Sequence, residues 1–282
     1  MPARSARDAA GAEEGRTVVD AARSPLAFDG RVAVVTGGTR GVGRAIAEAF
    51  LDAGAEVVVC GRHAPESPPA AGGAVASFVT ADVREADQAA AVVAAAVDRH
   101  GRLDVVVNNA GGSPPAAADT VSARFFAAVV ALNLLGPFYV AQAANAVMQA
   151  QDGGGSIVNI GSVSGTRASP GTAAYGAAKA GLANLTRTLA VEWAPKVRVN
   201  TVVAGLLLTE AGDQHYGGPA GQRAAAATVA AGRMGTPADV AGICLFLASP
   251  LAAYISGANL VADGGGERPA FLTAVEATRR SR

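Results

Sequence analysis

The sequence has little cysteine and little charge, and each shortage excludes a class of protein. Its two cysteines, Cys60 and Cys244, lie far apart in apolar segments, so we expect both to be reduced and buried. No cluster of cysteine and histidine has the spacing of metal ligands, so no metal site is predicted. Lysine plus arginine and aspartate plus glutamate number 23 each, which leaves no electrostatic case for binding nucleic acid or an anionic membrane.

The sequence also lacks long apolar runs. No uninterrupted apolar stretch is long enough to span a bilayer, and the N-terminus mixes acids with arginines where a secretory signal needs an apolar segment. We therefore expect a cytoplasmic protein without a membrane partner. We interpret residues 1–26 as a flexible extension, residues 27–266 as a single folded domain and residues 267–282 as a C-terminal tail.

What the chain does contain is an alternation of short β-branched runs with helical segments, which begins at Arg31. Strands alternating with helices across glycine-rich turns predict a parallel sheet with helices on both faces. The order of the elements predicts a single α/β domain with a doubly wound, Rossmann-type sheet of about seven strands. The predicted strands are "RVAVVTGG", "AEVVVCG", "AVASFVTADV", "LDVVVNNAG", "GSIVNIGS", "KVRVNTVVAG" and "GANLVADGG".

Two segments interrupt this alternation: a loop rich in proline and glycine at residues 62–73, and a long insertion at residues 206–235. The insertion follows the sixth strand, where binding loops usually lie. A long helix is predicted from about Val121 to Ala150. Its outer face is poor in charge, as is that of the helix containing Tyr175, which predicts packing onto partner subunits in a homotetramer or homodimer. The alternative is a monomer with alanine-rich surfaces.

The turn between the first strand and the first helix, "TGGTRGVG" at residues 36–43, is rich in glycine. Gly37, Gly41 and Gly43 allow a tight turn and let the backbone approach a pyrophosphate. The helix N-terminus supplies free N–H groups and the positive end of a dipole for that anion. The turn therefore predicts a dinucleotide site, although glycine-rich turns also serve as plain connectors.

The end of the second strand predicts which dinucleotide binds. Sites for NAD usually place a carboxylate there to bond the ribose 2′-hydroxyl, but here Gly61 and Arg62 stand at that point. A guanidinium attracts the 2′-phosphate of NADP, which a carboxylate repels, and Arg40 in the turn offers a second cation. We therefore predict NADP(H) rather than NAD(H); the alternative is that both arginines are solvated surface residues.

Two later turns are predicted to lie beside the cofactor because of their connectivity. Asp82 and Val83 follow the third strand and are expected to meet the adenine. The fourth strand ends in "NNAG", whose short polar side chains suit a turn beside the cofactor. Each turn by itself is equally consistent with ordinary turn chemistry.

Tyr175 and Lys179 stand four positions apart in "AAYGAAKAG", a helix that is otherwise alanine and glycine. Positions i and i+4 share one face of a helix, so the ammonium lies near the phenol and is expected to lower its pKa. Such a phenol can accept a proton from an alcohol or donate one to an alkoxide. Ser162 ends the fifth strand upstream, and its hydroxyl can bond the substrate oxygen.

These motifs resemble, in order and spacing, those of the short-chain dehydrogenase/reductase family. The resemblance rests on "TGGTRGVG", "NNAG", Asn133 within "LNLLGPF", Ser162 and "YGAAK", and it covers roughly residues 28–265. It implies that Tyr175 is the general acid/base and Ser162 polarises the substrate oxygen. It further implies that Lys179 lowers the pKa of the phenol and bonds the nicotinamide ribose, and that Asn133 holds a water in a proton relay to Lys179. The residues alone permit a local backbone-bonding kink at Asn133 instead.

After the sixth strand the family usually has Pro-Gly, whereas this chain has Ala204 before Gly205. The lost proline is expected to loosen this end of the strand. Gly205 and Thr209 keep the family spacing, and the family's threonine contacts the cofactor. The full set of predicted cofactor contacts is Gly37, Thr39, Arg40, Gly41, Val42, Gly43, Arg62, Asp82, Val83, Asn109, Ala110, Gly111, Tyr175, Lys179, Gly205, Leu207 and Thr209.

The substrate must carry a hydroxyl or a ketone, because hydride transfer is the chemistry of the cofactor. The insertion offers residues for an apolar pocket wall, although helix packing explains such residues more often. They are Leu206, Leu207, Leu208, Tyr216 and Met234, with His215 in reach of a substrate or on the surface. We predict a small hydrophobic secondary alcohol or ketone, such as a ring-bearing lipid or secondary metabolite.

Three other functions fit parts of the sequence. A 3-oxoacyl thioester reductase shares all five motifs, but no basic patch for a carrier protein is obvious. A dinucleotide-binding regulator without catalysis is disfavoured by the intact set Asn133, Ser162, Tyr175 and Lys179. A methyltransferase on a similar sheet should lack "YGAAK" and have an acid in place of Gly61.

Overall fold

Short runs rich in valine form the strands, because β-branched side chains suit a buried, pleated surface. The computed structural model describes residues 24–210 and 216–280, and within them seven parallel strands form one sheet. The strands alternate with helices, as the sequence predicts. They are β1 (Val32–Thr36), β2 (Glu56–Gly61), β3 (Ser77–Thr80), β4 (Val105–Asn108), β5 (Gly155–Ser162), β6 (Val197–Ala204) and β7 (Asn259–Ala262).

The strand order across the sheet is β3-β2-β1-β4-β5-β6-β7. Neighbouring strands pair in parallel, for example Val34 of β1 opposite Val58 of β2. The order reverses between β1 and β4, and sheets of this kind bind ligands in the crevice outside the carboxyl ends of the strands at that point. The predicted fold class, a doubly wound α/β sheet of seven strands, is confirmed.

Helices cover both faces of the sheet. In the described residues they are α1 (Gly41–Asp52), α2 (Ala86–His100), α3 (Ala123–Val130), α4 (Gly136–Ala150), α5 (Ala173–Glu192), α6 (Gly218–Thr228), α7 (Pro237–Ala248) and α8 (Ala270–Arg280). Helices α1 and α7 share one apolar cluster, to which Phe50 and Cys244 belong. Helices α2 and α4 share the cluster on the other face, with Cys60 and Met148. Both cysteines are free and buried, as predicted.

The predicted long helix from Val121 to Ala150 is interrupted. Helix α3 passes into a π-helical turn, Ala131–Leu135, before α4 begins. By length and composition alone, the helical stretch Ala123–Ala150 could cross a membrane, although Arg124, Asn133 and Gln142 interrupt its apolar residues. The same composition suits a helix that covers a sheet, and Val140, Ala144 and Met148 of α4 are fully buried in this way.

The two irregular segments are more ordered than the sequence suggests. The loop at 62–73 runs into a short hairpin of Ala70–Ala71 with Ala74–Val75. In the insertion, Leu207 pairs with Gly235, so the two ends of this segment meet. The tail after Gly266 contains helix α8. Of the predicted N-terminal extension only residues 24–26 are described, and His215 also lies outside the described residues.

Candidate active site

The glycine-rich turn forms a cradle for an anion at the N-terminus of α1. Gly37 and Gly41 have positive φ, at 62° and 54°, and no side chain caps the helix at Arg40. The first N–H groups of α1 are therefore left for another partner. A Cβ at Gly43 would lie 2.3 Å from both Gly37 O and Asn109 Nδ2, so only glycine fits there. Val42 packs against the apolar core beneath the cradle. These residues fit a dinucleotide pyrophosphate.

Asn109 fastens this cradle to the end of β4. Its Nδ2 donates to Thr36 O at 3.0 Å and to Gly37 O at 3.2 Å. The backbone N–H groups of Asn109 and Ala110 both donate to Thr36 Oγ1, at 3.1 Å and 3.0 Å. The sequence predicts Asn109 as a cofactor contact, and its side chain also holds the glycine-rich turn in place.

Cationic side chains surround the end of β2. Arg62 and Arg40 are both exposed, and Thr39 Oγ1 lies 3.8 Å from the Cβ position of Gly61, so the turn and the strand end are adjacent. Neither arginine forms an ion pair in the described part of the chain. Both are therefore available to a phosphate at this end of the cleft.

Asp82 is paired with Arg84, an interaction that the sequence argument missed. Arg84 donates to the carboxylate from Nε at 2.9 Å, from its backbone N–H at 3.1 Å and from Nη2. The pKa of Asp82 is lowered chiefly by these bonds, and the charge of Arg62 adds to the effect. Val83 is buried and packs against Gly136. The carboxylate predicted to meet the adenine is thus already neutralised by a guanidinium.

Asn133 lies in the π-helical turn and bonds the segment that follows β4. Its Nδ2 donates to Gly112 O at 3.0 Å and to Val129 O at 2.9 Å, and its Oδ1 accepts from Gly112 N at 2.9 Å. A Cβ at Gly111 would lie 2.7 Å from Asn133 Oδ1 and 3.3 Å from Lys179 Nζ. Asn133 is therefore both a local kink, as one interpretation holds, and a neighbour of Lys179, as the other requires.

Ser162, Tyr175 and Lys179 lie together at the carboxyl end of β5. Lys179 is 3% exposed, and its Nζ donates to Ile160 O at 2.8 Å and lies 5.5 Å from the centroid of the Tyr175 ring. Ser162 Oγ accepts from Ser164 N at 3.2 Å, which leaves its own proton for the Tyr175 phenol, to which it is hydrogen-bonded.

Desolvation controls both titratable groups. Burial lowers the pKa of Lys179 from 10.5 to about 8. Tyr175 is half-buried, and desolvation raises its pKa while the Ser162 hydroxyl opposes this rise. The expected lowering of the phenol pKa by Lys179 is therefore not found in the protein alone, where desolvation is the largest influence on the phenol and the Ser162 hydroxyl opposes it.

Glycines in α5 and before it allow this helix to contact the segment after β5 closely. A Cβ at Gly165 would lie 2.7 Å from Ala180 N, and one at Gly176 would lie 2.8 Å from Ser164 O. The short 3-10 turn that follows Ser162 therefore rests directly on the backbone of α5. This contact sets Ser162 beside Tyr175.

Comparison with known proteins places this geometry in a family. The sequence matches the family described as enoyl-(acyl carrier protein) reductase over residues 37–267. It is 38% identical to D-threitol dehydrogenase of Mycolicibacterium smegmatis, over 84% of this chain and 93% of that protein. It is 37% identical to a 3-oxoacyl-[acyl-carrier-protein] reductase of Synechocystis, over 85% of this chain and 98% of that protein.

The chain belongs to the short-chain dehydrogenase/reductase family. It is an oxidoreductase acting on CH–OH groups with NAD(P). A crystal structure described as a short-chain alcohol dehydrogenase from Sinorhizobium meliloti is 35% identical and has a TM-score of 0.78, covering 86% of this chain and 98% of that one.

In this short-chain dehydrogenase/reductase Ala204, which stands where the family usually has proline, lies inside the sheet. Ala204 is buried and has register partners on both sides, Ser162 of β5 and Ala262 of β7. A Cβ at Gly205 would lie 2.7 Å from Asp263 Cα, which explains the glycine that follows.

The residues of the insertion divide among several roles. Leu207 packs partly against the core, Met234 is buried, and Leu208 is 42% exposed. Leu208 and Thr209 line an open cleft of about 390 Å³ together with Gly41 at the start of α1. Met234 is therefore buried within the segment before α7, and the predicted cofactor residue Thr209 lies in the same cleft as Gly41 of the glycine-rich turn.

A buried polar network behind the site was also missed. Asn108 Nδ2 donates to Asn159 Oδ1 at 2.9 Å, and Asn159 Nδ2 donates to Thr186 Oγ1 at 2.9 Å. Thr186 Oγ1 lies 2.7 Å from Thr201 Oγ1. The network joins β4, β5, β6 and α5, so it fixes the helix that carries Tyr175. Its signal in the sequence is a set of polar residues inside otherwise apolar strands.

Proposed function

We propose that this oxidoreductase interconverts a small apolar secondary alcohol and the corresponding ketone with NADP(H). The observation that carries the proposal is the group formed by Ser162, Tyr175 and Lys179 at the carboxyl end of β5, on the same edge of the sheet as the phosphate cradle. A hydroxyl donor, a phenol and an ammonium side by side supply what proton transfer to a carbonyl oxygen needs.

The proposed roles follow from the contacts of each side chain. Ser162 donates a hydrogen bond to the substrate oxygen, and Tyr175 accepts the alcohol proton during oxidation or returns it during reduction. A bound nicotinamide supplies the acceptor or donor of the hydride. Lys179 bonds the nicotinamide ribose and favours the phenolate, and Asn133 holds a water that passes the proton onward. The proximity of Asn133 Oδ1 and Lys179 Nζ around Gly111 supports the last step.

The preference for NADP(H) is supported by the charges at the end of β2. Arg62 and Arg40 are exposed there, and Asp82 is neutralised by Arg84. A 2′-phosphate would therefore meet guanidinium groups and no uncompensated carboxylate.

Two other substrate classes have specific support from relatives. The names of several relatives specify sugar alcohols or glycerol as substrates, including D-threitol, galactitol and glycerol dehydrogenases. The Synechocystis relative is named for 3-oxoacyl thioesters. The insertion after β6 begins with three leucines, of which Leu208 is exposed, and we take this as support for an apolar substrate over a polyol.

A substrate panel tests the proposal. Apolar secondary alcohols and ketones, sugar alcohols and a 3-oxoacyl thioester are each assayed with NADP(H) and NAD(H), by the absorbance of the reduced nicotinamide. We expect the highest kcat/KM for an apolar alcohol or ketone with NADP(H). A higher kcat/KM for a polyol or for the thioester would show that the substrate belongs to that class. Cofactor binding without any turnover would favour a regulator.

The proposal includes a cytoplasmic homotetramer or homodimer. Apolar side chains remain exposed on the helices expected to meet a partner, namely Phe126 in α3, Leu135 in the π-helical turn that follows it and Val191 in α5. Burial of such residues is a common driving force for association. Sedimentation velocity measures the mass directly, and a monomer at micromolar concentration would contradict this part.

A further inference from the structure

The carboxyl ends of β5, β6 and β7 lie side by side. Ser162 is opposite Ala204 in the register of β5 and β6, and Ala204 is opposite Ala262 in that of β6 and β7. The three segments that follow these strands therefore begin at the same edge of the sheet as Ser162. Arg167 lies in the first segment, α6 in the second and Glu267 in the third.

The second and third segments are joined backbone to backbone. Ala230 N donates to Gly266 O at 3.0 Å, and Ala231 N donates to Gly264 O at 2.9 Å. The three glycines from 264 to 266 all have positive φ, and a Cβ at Gly264 would lie 2.9 Å from Val229 Cγ1. The tail therefore continues from β7 directly onto the chain that leaves α6.

Glu267 links this joined pair to the first segment. Its carboxylate forms an ion pair with Arg167, and its backbone bridges that of Val229. Its charge also reaches Tyr216, which is hydrogen-bonded to the backbone of Leu207; desolvation chiefly raises the pKa of Tyr216, and Glu267 adds to the rise. One carboxylate thus acts on all three segments around the substrate side.

We propose that Glu267 is a positioning residue, whose ion pair with Arg167 holds the segment carrying α6 against the loop between Ser162 and Tyr175. The proposal rests on the proposed function, because it takes the Ser162 end of the cleft as the place where the substrate reacts. This ion pair, called the clasp below, sets how closely the segment carrying α6 approaches the substrate. It leaves the chemistry at Tyr175 unchanged.

Because this ion pair is partly exposed to solvent, its effect on the protein should be local. The side chains of Arg167 and Glu267 are 44% and 28% exposed. Ion pairs at such positions contribute little to global stability, so breaking this one should not unfold the protein. Its effect is therefore expected locally, in the position of the segments and in the KM for the substrate.

The chain offers a matched control for the test. Glu276 in α8 forms an ion pair of similar exposure with Arg268, also in the tail. We compare Glu267→Gln, Arg167→Gln and the exchanged double variant Arg167→Glu/Glu267→Arg with Glu276→Gln. In full-length protein we measure KM and kcat for the best substrate of the panel, Kd for NADPH, Tm, and hydrogen exchange at the amides of Ala230 and Ala231.

Each outcome is decisive. We expect Glu267→Gln and Arg167→Gln to raise the KM for substrate about three- to fivefold, with kcat, Kd for NADPH and Tm nearly unchanged. We also expect faster exchange at Ala230 and Ala231, recovery in the exchanged variant and no effect of Glu276→Gln. Unchanged exchange and KM, or equal effects of Glu276→Gln, would overturn the proposal. Faster exchange in a protein that turns over no substrate leaves the clasp standing and removes the proposed function.

Discussion

The edge of the sheet where the strands end is built differently on its two sides. On the cofactor side, after β1 to β4, partly buried hydrogen bonds fix the turns, such as those from Asn109 to Thr36 and Gly37. On the substrate side, after β5 to β7, long segments are held by backbone pairing and by the exposed ion pair between Glu267 and Arg167. The first side is set by close packing and the second by a few contacts between distant parts of the chain.

This difference reflects what each side must do. A pyrophosphate requires backbone N–H groups at fixed positions, and these are obtained cheaply from a strand, a tight turn and a helix N-terminus in sequence. A substrate pocket must differ between relatives that share the same sheet. It is therefore built from loops, which vary without disturbing the core. Substitutions on the two sides should accordingly affect different quantities.

The largest effect is expected where the two sides meet, at Tyr175. Tyr175→Phe removes the hydroxyl that exchanges the proton, and general acid/base groups contribute about 10³-fold. We expect kcat to fall about 10³-fold while the Kd for NADPH, measured by fluorescence titration, remains nearly unchanged. Tyr139→Phe, a partly buried tyrosine of α4, is the control. Retained turnover in Tyr175→Phe would remove the acid/base assignment.

Lys179, which lies where the two sides meet, should make the stability of the folded protein depend on pH. Its pKa falls from 10.5 to about 8 on folding, so below pH 8 the folded state holds a desolvated charge, and above pH 8 it sheds the proton before the unfolded state does. Stability from this group therefore rises with pH. Tyr175, whose pKa is raised by desolvation, stays protonated in the folded state over this window and begins to ionise in the unfolded state only near pH 10.

Urea unfolding of the wild type and Lys179→Met between pH 8 and pH 10 tests this dependence. We expect the free energy of unfolding of the wild type to gain about 2 kcal/mol relative to the variant, because the slope approaches about 1.4 kcal/mol per pH unit only between the folded and unfolded pKa values. Lys196→Met, which removes an exposed amine, controls for the loss of a lysine. A difference that stays level with pH would show that the ammonium is not desolvated.

On the cofactor side, Gly43→Ala should damage folding and binding together. The added Cβ would lie 2.3 Å from Gly37 O and Asn109 Nδ2, and such overpacking costs about 2 kcal/mol of stability. We expect weaker NADPH binding and a lower Tm by calorimetry. Gly242→Ala in α7 has nothing within 4 Å of its Cβ position and is expected to gain up to about 1 kcal/mol from helix propensity. Equal Tm values for the two variants would contradict the tight cradle.

The same contrast explains what the sequence could predict. The turn at Gly37–Gly43 and the pair Tyr175 and Lys179 depend on spacing within one turn or one helix, so their patterns are visible locally. The π-helical turn at Asn133 leaves the apolar pattern of its helix almost unchanged, so the pattern predicts one long helix, with a local kink at Asn133 as an alternative. The seven strands could be predicted because each is a run rich in β-branched residues that is bounded by glycine-rich turns.

Contacts between distant segments could not be predicted in this way. Arg167 and Glu267 are 100 residues apart in the chain, and their pairing depends on where the tail leaves β7. The predicted lowering of the Tyr175 pKa was wrong for a related reason. Helix spacing gives the distance to Lys179, but it does not show that the surrounding protein desolvates the phenol and raises its pKa. Asp82 and Arg84 are close in sequence, but the sequence predicts that Asp82 meets the adenine and does not predict its ion pair with Arg84.

The smallest effect in this series is expected from Arg62→Asp, which tests what the exposed part of the cofactor side contributes. The substitution places a carboxylate where NAD sites usually have one, beside an Asp82 that Arg84 already neutralises. It removes a charged hydrogen bond to the 2′-phosphate and adds repulsion, so the ratio of kcat/KM for NADPH to that for NADH should fall at least about tenfold. Arg99→Asp makes the same change of charge at the exposed far end of α2, away from the carboxyl edge. If the ratio moves equally in both variants, net charge and not Arg62 sets the preference; if it moves in neither, the cofactor side selects its dinucleotide by packing alone.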